Sequence, residues 1–498
     1  MLVRTDGHDG SPAEVRYRDF WGLDKREQLA AATGASGVGP DYEILTPDQD
    51  NWFRLLRWHP RQGYENWAAV SELCAADPML GLNENRRFAL IDSDRSALAA
   101  RMRTYLDPGV PMAQVDSRLS SAYARFDPER VRKRMLEQHP FDEDHIRPFQ
   151  FRPLDMRYAY VETGVKLWNE SRTPLVAAAK AEAGFLLARR RAPRALDGVA
   201  LSYSDCLVDQ KVLFTDAYAI PFWLAATTGN DDKSGTLSLF EDDSDQPGGV
   251  WQPNLSGKAL DYLQQVGIED AGTSKDSAAL IWLHALAIGL SPLYVEQNGE
   301  AVRSDWPRIP LPASAAMLRE SAGLGARAAA LLNPHTAVSG VDAAPVDARL
   351  RTVAVIERTD GQPLNPGTGD LAVTAGWGIV QVRAVMPGAG KYDLRERYAA
   401  DGDGLTDQDR ELLGDQVLDI YLNDQARWCG VPGSAWDYKI GGFQVLRKWL
   451  SYRDKRALGR DLITAEVRTF TAITRRLCAL ILLGPDLDAN YLKAADPA

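Results

Sequence analysis

At 498 residues the chain is too long for one small domain; at roughly 100–200 residues per domain it corresponds to about three folding units. Hydrophobic residues at 45% supply packed cores, and charged residues at 25% fall short of the excess that keeps a chain disordered. A formal charge of −11 excludes a histone-like nonspecific nucleic-acid binder, so any DNA contact has to come from local patches. No run approaches the roughly 18–20 apolar residues of a membrane span. The start, Met1 to Gly10, lacks the apolar stretch of an export signal, so a cytoplasmic protein without a membrane partner is expected. Cys74, Cys206, Cys429 and Cys478 are scattered, with neither a CxxC pair nor histidines at zinc spacing; they read as reduced thiols, with no metal site.

The pattern along the chain predicts a mixed α/β, multidomain fold. The first segment, 1–140, carries aromatic stretches (Tyr17, Phe20, Trp21; Trp52, Phe53, Trp58) and two helices. One follows Asp94, with Ala97, Leu98, Met102, Tyr105 and Leu106 at helical spacing, and ends at Asp107-Pro108. The other, Pro128 to Gln138, carries Arg130, Arg132, Lys133 and Arg134. The central segment, 141–340, opens with short strand-like runs at 158–161, 184–188 and 198–203. An acidic Gly/Ser-rich stretch, 227–249, reads as an exposed mobile insertion. Helices are predicted at 254–266, 274–288 and 313–332, with the prolines of 306–312 forming an extended connector. The last segment, 341–498, begins with strands at 351–356 and 378–385 and continues with helices at 407–422, 442–452 and 462–483. Thr406 is the expected cap of the first of these. No repeat of fixed period is present.

Local charge departs from the global balance. Arg147 to Arg194 holds ten basic residues against four acidic ones, and Lys439 to Arg460 holds seven against one, so each stretch is +6. Both interleave cations with aromatics (Phe149, Phe151, Tyr158, Tyr160, Trp168; Phe443, Trp449, Tyr452), as surfaces that touch phosphates and bases do. The competing reading is solvated helix faces or internal ion pairs.

Residues 151–160, FRPLDMRYAY, resemble the (Y/F)-R-P-(F/L)-D-x-R-x-x-Y signature of large adenine-N6 DNA methyltransferases of the type ISP and related single-chain restriction-modification enzymes. Leu167 to Pro174 (LWNESRTP) resembles the L-(W/L)-N-E-x-R-P run of the same proteins with Thr173 displacing the usual proline by one place. Phe185 to Arg190, Thr215 to Phe222 and Trp306 to Pro312 resemble further segments. Tyr438 to Arg453 (YKIGGFQVLRKWLSYR) fits their Y-x-(I/V)-G-G-(Y/F)-x-V-L-(K/R)-x-W-L-x-(Y/F)-R run. The likeness extends from about Tyr17 to Tyr491. The methyltransferase motifs are absent: the nearest string to N-P-P-(Y/F) is Asn333-Pro334-His335-Thr336, and Gly34 to Gly39 reads as a flexible loop rather than an S-adenosylmethionine loop.

The resemblance therefore implies the recognition half of such an enzyme: a DNA target-recognition or specificity subunit of an adenine-methylating restriction-modification or phage-defence system. Double-stranded DNA and a separate methyltransferase subunit, or other defence proteins, are its implied partners. S-adenosylmethionine is expected on that partner and no cofactor on this chain. The candidate DNA contacts are Arg147, Arg152, Arg172, Arg189, Arg190, Arg191, Lys439, Arg447, Lys448 and Arg453. Pro153, Asp155 and Arg157 are expected to shape an extended strand in which Asp155 pairs with Arg157 and Arg152 points the other way, free for DNA. Two alternatives come from other classes. Asp197, Asp209 and Lys211 follow the D-x(n)-D-x-K order of Mg²⁺-dependent nucleases, and a scaffold protein of the same complex would bind no DNA. His284, inside an apolar helix run, reads as a satisfied core residue.

Overall fold

The computed structural model describes residues 14–18, 25–34, 42–45, 60–86, 88–122, 126–192, 198–225, 251–381, 384–397 and 404–496. Phe20, Trp21, Trp52, Phe53, Trp58, the loop 35–39, Asp197 and the acidic stretch 227–249 lie outside the described residues.

The expected mixture of helix and strand forms. The string FRPLDMRYAY does not run on as one extended strand. Proline sets its own φ near −65°, and Leu154 takes a φ of +57°, so the chain reverses at Pro153-Leu154. The result is a hairpin of Ile146–Arg152 and Asp155–Tyr160 in which Arg152 faces Asp155 across the turn. Ile91–Asp92 adds antiparallel to the second strand and Leu207–Val208 adds parallel to the first. A second four-stranded antiparallel sheet has the order Met79–Leu80, Tyr218–Pro221, Phe185–Ala188, Ser202–Ser204.

Helices form where caps and apolar spacing coincide. The Asp94 carboxylate accepts from the Ser96 and Ala97 N–H groups and starts Arg95–Tyr105. Asp127 caps Pro128–Gln138 in the same way. Lys275–Leu290 and Ala315–Leu332 pack with backbones nearly touching: a Cβ on Gly325 would lie 1.9 Å from the Leu283 carbonyl oxygen. His284 sits in this layer, fully buried. Its Nε2 donates to the Pro310 carbonyl at 2.8 Å, so Nδ1 accepts from the Ser321 hydroxyl at 2.7 Å.

The helix expected at 407–422 divides. Thr406 and Asp409 form a capping box that opens Asp407–Leu413, and Gly414, at a φ of +77°, ends it. The aliphatic run that follows, Gln416–Tyr421, is instead an inner strand of the third sheet, buried except at its first residue. That sheet has the order Val355–Arg358, Ala426–Pro432, Gln416–Tyr421, Tyr392–Glu396, antiparallel throughout. The helix Thr464–Leu482 covers it, with Phe470 4.1 Å from Trp428 and 5.7 Å from Trp449 between ring centroids. Buried apolar residues from all three expected segments join one continuous cluster. Among the described residues no single helix is long and apolar enough to cross a membrane.

Candidate nucleic-acid interface

The two basic stretches, some 290 positions apart in sequence, meet inside the protein. Asp155 accepts from Arg157 Nη2 at 3.1 Å on one oxygen and from Arg453 Nη1 at 2.6 Å on the other. Burial alone would raise this carboxyl, but the two guanidinium groups outweigh it and hold Asp155 below the usual carboxylate range. Arg157 lies inside an aromatic cage, 4.1 Å from the Phe151 ring centroid and 4.8 Å from those of Phe88 and Tyr452. Arg453 stacks 4.3 Å from Trp449. Lys448, 4.5 Å from Tyr452, donates to the Val385 carbonyl at 2.7 Å, and burial lowers its pKa. Burial would raise the Tyr452 phenol, yet Arg152, Lys448 and Arg157 together pull it below its ordinary value.

The helix Val445–Arg453 is presented to this cluster by the hairpin Lys439–Ile440 and Phe443–Gln444. Its Gly441-Gly442 turn has φ of +53° and +87°, the two left-handed positions that a two-residue hairpin turn requires. A Cβ on Gly441 would strike Leu213 at 2.6 Å.

The structure divides the predicted DNA contacts. Arg147, Arg190 and Arg191 are exposed. Arg172 is partly exposed, Lys439 is half-buried in its hairpin, and Arg447 donates to the Gly388 carbonyl at 3.0 Å. Lys448 and Arg453 are buried, and Arg189 is buried with Nη1 donating to the Phe214 carbonyl at 2.5 Å. Arg152 differs most from expectation. Instead of projecting free, its side chain is 12% exposed, donates to Asp209 at 2.8 Å and stacks between Phe151 (3.9 Å) and Phe443 (5.6 Å). The hairpin turn is the physical reason. It brings Arg152 level with Asp155 and over the strand Leu207–Val208, whose following residue is Asp209.

Asp209 is thereby engaged twice, by Arg152 and by the Lys211 N–H at 2.8 Å, while the Lys211 side chain is exposed. That arrangement leaves Asp209 a structural counter-ion rather than an open metal ligand. Asn333 and His335, from the string nearest to N-P-P-Y, both turn to Asp205, at 2.7 and 3.2 Å.

One feature of the surface escaped sequence reasoning. An open groove of about 730 Å³ runs between the basic helix Pro128–Gln138 and the LWNESRTP segment, and Arg134, Lys166 and Arg172 line it together with Asp77 and Glu170. Its floor is tied to the central hairpin: Trp168 Nε1 donates to the Tyr160 carbonyl at 2.9 Å. The available signal was the row of cations on the 128–138 helix, where Arg132 turns inward to the Tyr105, Asp107 and Val110 carbonyls while Arg130, Lys133 and Arg134 stay exposed.

Residues 78–480 match the family described as the Type ISP C-terminal specificity domain. Among solved structures, a cryo-EM DrdV–DNA complex is similar with a TM-score of 0.55 at 15% identity, over 93% of this chain and 42% of that one. A nuclease-deletion mutant of the Type ISP restriction-modification enzyme LlaGI in complex with a DNA substrate mimic has a TM-score of 0.51 at 13% identity, over 97% and 39% of the two chains. ATP-dependent Type ISP enzyme LlaBIII bound to DNA has a TM-score of 0.51 at 11% identity, over 96% and 27%. At these identities the likeness is one of fold, and the chain spans less than half the length of each of these three chains. No curated protein matches the sequence.

Proposed function

The chain belongs to the Type ISP C-terminal specificity domain family, and on that premise we propose that it is the DNA target-recognition part of an adenine-methylating restriction-modification or phage-defence system. The observation that carries this reading is the family match over residues 78–480, which takes in both interlocked motifs. The DNA complexes formed by DrdV, LlaGI and LlaBIII, whose fold this chain shares, support double-stranded DNA as its ligand. Residues 1–498 carry neither the glycine-rich cofactor loop nor N-P-P-(Y/F), so in this reading S-adenosylmethionine binding and methyl transfer are functions of a methyltransferase core outside this recognition region.

In this reading the motif arginines build the frame, and the exposed Arg147, Arg190 and Arg191 with the partly exposed Arg172 set register on phosphates, leaving a few polar side chains to read base edges. The test is a selection of bound duplexes from a random library, followed by methylation assays with and without the partner. Enrichment of one sequence by this chain alone, with no cofactor binding by calorimetry, is expected. Stoichiometric micromolar binding of S-adenosylmethionine to this chain, or equal affinity for all duplexes, overturns the reading.

A further inference from the structure

The groove beside the LWNESRTP segment combines features that packing does not account for. Arg172 has a φ of +48° and ψ of +60°, a left-handed conformation that is costly for a side chain of this size. It stands at the start of the helix Thr173–Lys180, yet its side chain caps nothing there. Its Nε is buried without a hydrogen-bond partner, and the nearest carboxylate, on Glu170, is 3.6 Å from Nη1, beyond hydrogen-bond reach. The Nε atoms of Arg152, Arg157 and Arg453 are unpaired too, but each of those arginines bonds a carboxylate through another nitrogen, whereas Arg172, on a strained backbone at the lining of an open groove, has none within hydrogen-bond reach.

The surroundings point to an anion. Arg134 and Lys166 are exposed in the same groove and have no carboxylate within ion-pair distance among the described residues, in contrast to Arg152, Arg157 and Arg453. Asp77 and Glu170 also face the groove, so it is positive by one charge overall. The walls are rigid. Glu170 and Asn83 exchange both backbone hydrogen bonds at 3.0 Å, and Trp168 is anchored to the hairpin, so a ligand would meet preset donors.

We propose that this groove holds the phosphodiester backbone of the target DNA, with Arg172 as the central contact and Arg134 and Lys166 flanking it. The assignment rests on the DNA-recognition reading and adds to it the surface on which one strand lies.

The test uses the whole chain, a labelled random-sequence duplex and a salt series. The variant Arg134→Gln/Lys166→Gln/Arg172→Gln is expected to lose at least tenfold in affinity at low salt, and its slope of log K against log salt should fall by about 2–3, at about 0.9 per phosphate contact. The control Lys258→Gln/Arg327→Gln/Lys493→Gln removes three exposed cations elsewhere and should leave the slope unchanged. Arg172→Gly separates binding from architecture. Glycine takes the left-handed conformation without strain, so the melting temperature should hold or rise while affinity falls. If wild type binds and the groove variant binds identically, or if the control loses as much, the groove assignment is overturned and the DNA reading stands. A fall in the melting temperature of Arg172→Gly with unchanged affinity also overturns it. Absence of salt-dependent binding by wild type removes both.

Discussion

The hairpin–helix junction and the neighbouring groove are built from the same residue types and use them in opposite ways. At the junction, Arg152, Arg157 and Arg453 are each matched to a carboxylate and an aromatic face, and little of their charge reaches water. In the groove, Arg134 and Lys166 meet solvent and Arg172 is only loosely paired. The difference teaches that a cluster of cations in sequence fixes neither location nor role. What separates frame from surface is whether each guanidinium has an anion and a π-face waiting for it.

The largest expected effect tests the frame. Asp155→Ala leaves two buried guanidinium groups, Arg157 and Arg453, without the carboxylate they share, at a cost of about 3–5 kcal/mol for an uncompensated buried charge. Thermal or urea unfolding should show the loss, and a variant as stable as wild type would break the contrast between the two regions. The pH dependence has a definite sign. Asp155 is held below its unfolded value, so its contribution is complete above about pH 4 and is lost as pH falls through the depressed folded value.

A buried group with no charge gives the reference case. Burial pushes His284 down to about 4 from an ordinary value near 6.5, so the folded protein keeps it neutral while the unfolded chain takes up a proton. Stability should decline by about 3 kcal/mol between pH 6.5 and 4 and then level off with respect to this group. His284→Gln should flatten that part of the profile in denaturant melts across the pH range. An identical slope in the variant would assign the acid sensitivity to other groups.

Arg152→Ala follows. It strands Asp209 beside the hairpin turn, and removing one partner from a largely buried pair should lower stability by about 1–3 kcal/mol. Because Arg152 is enclosed by Phe151 and Phe443, the salt dependence of DNA binding should stay as in wild type. A stable variant with a reduced salt slope would move Arg152 from the frame to the surface.

Much of this frame was legible in the sequence and its exposure was not. The two motif strings marked the segments that interlock, and the Asp155–Arg157 pair follows from residues two apart on one strand. The Arg453–Asp155 bond joins positions 298 apart, which no local pattern reports. The Pro153-Leu154 reversal escaped because a leucine supplies the positive φ where a glycine would have announced a turn. The helix boundary at Gly414 was missed for the opposite reason. Asp407 to Leu422 has apolar residues at spacings compatible with a helix, and the glycine was outweighed by them, although Gln416–Tyr421 satisfies its backbone in a sheet instead. The groove joins residues from two segments, Arg134 on the helix Pro128–Gln138 and Arg172 in the 147–194 basic stretch, and no local pattern reports that they meet.

The smallest effect on stability and the sharpest test of the contrast comes from Arg190 and Arg191. Arg190 is 59% exposed and lies 4.0 Å from Asp305, itself half exposed, a geometry whose net contribution in water is small. Arg191 is exposed beside it, whereas the adjacent Arg189 is bonded to the Phe214 carbonyl and belongs to the frame. Arg190→Glu/Arg191→Glu should therefore change unfolding free energy by no more than about 0.5 kcal/mol. Arg189→Glu should destabilise clearly, since it buries a carboxylate against a carbonyl oxygen. If Arg190 and Arg191 touch phosphates, the double variant lowers the salt slope by up to about 2, at about 0.9 for each contact, and weakens binding to all sequences alike. An unchanged slope with unchanged stability would place this exposed pair away from the duplex, and the DNA surface would then be confined to the groove side of the hairpin.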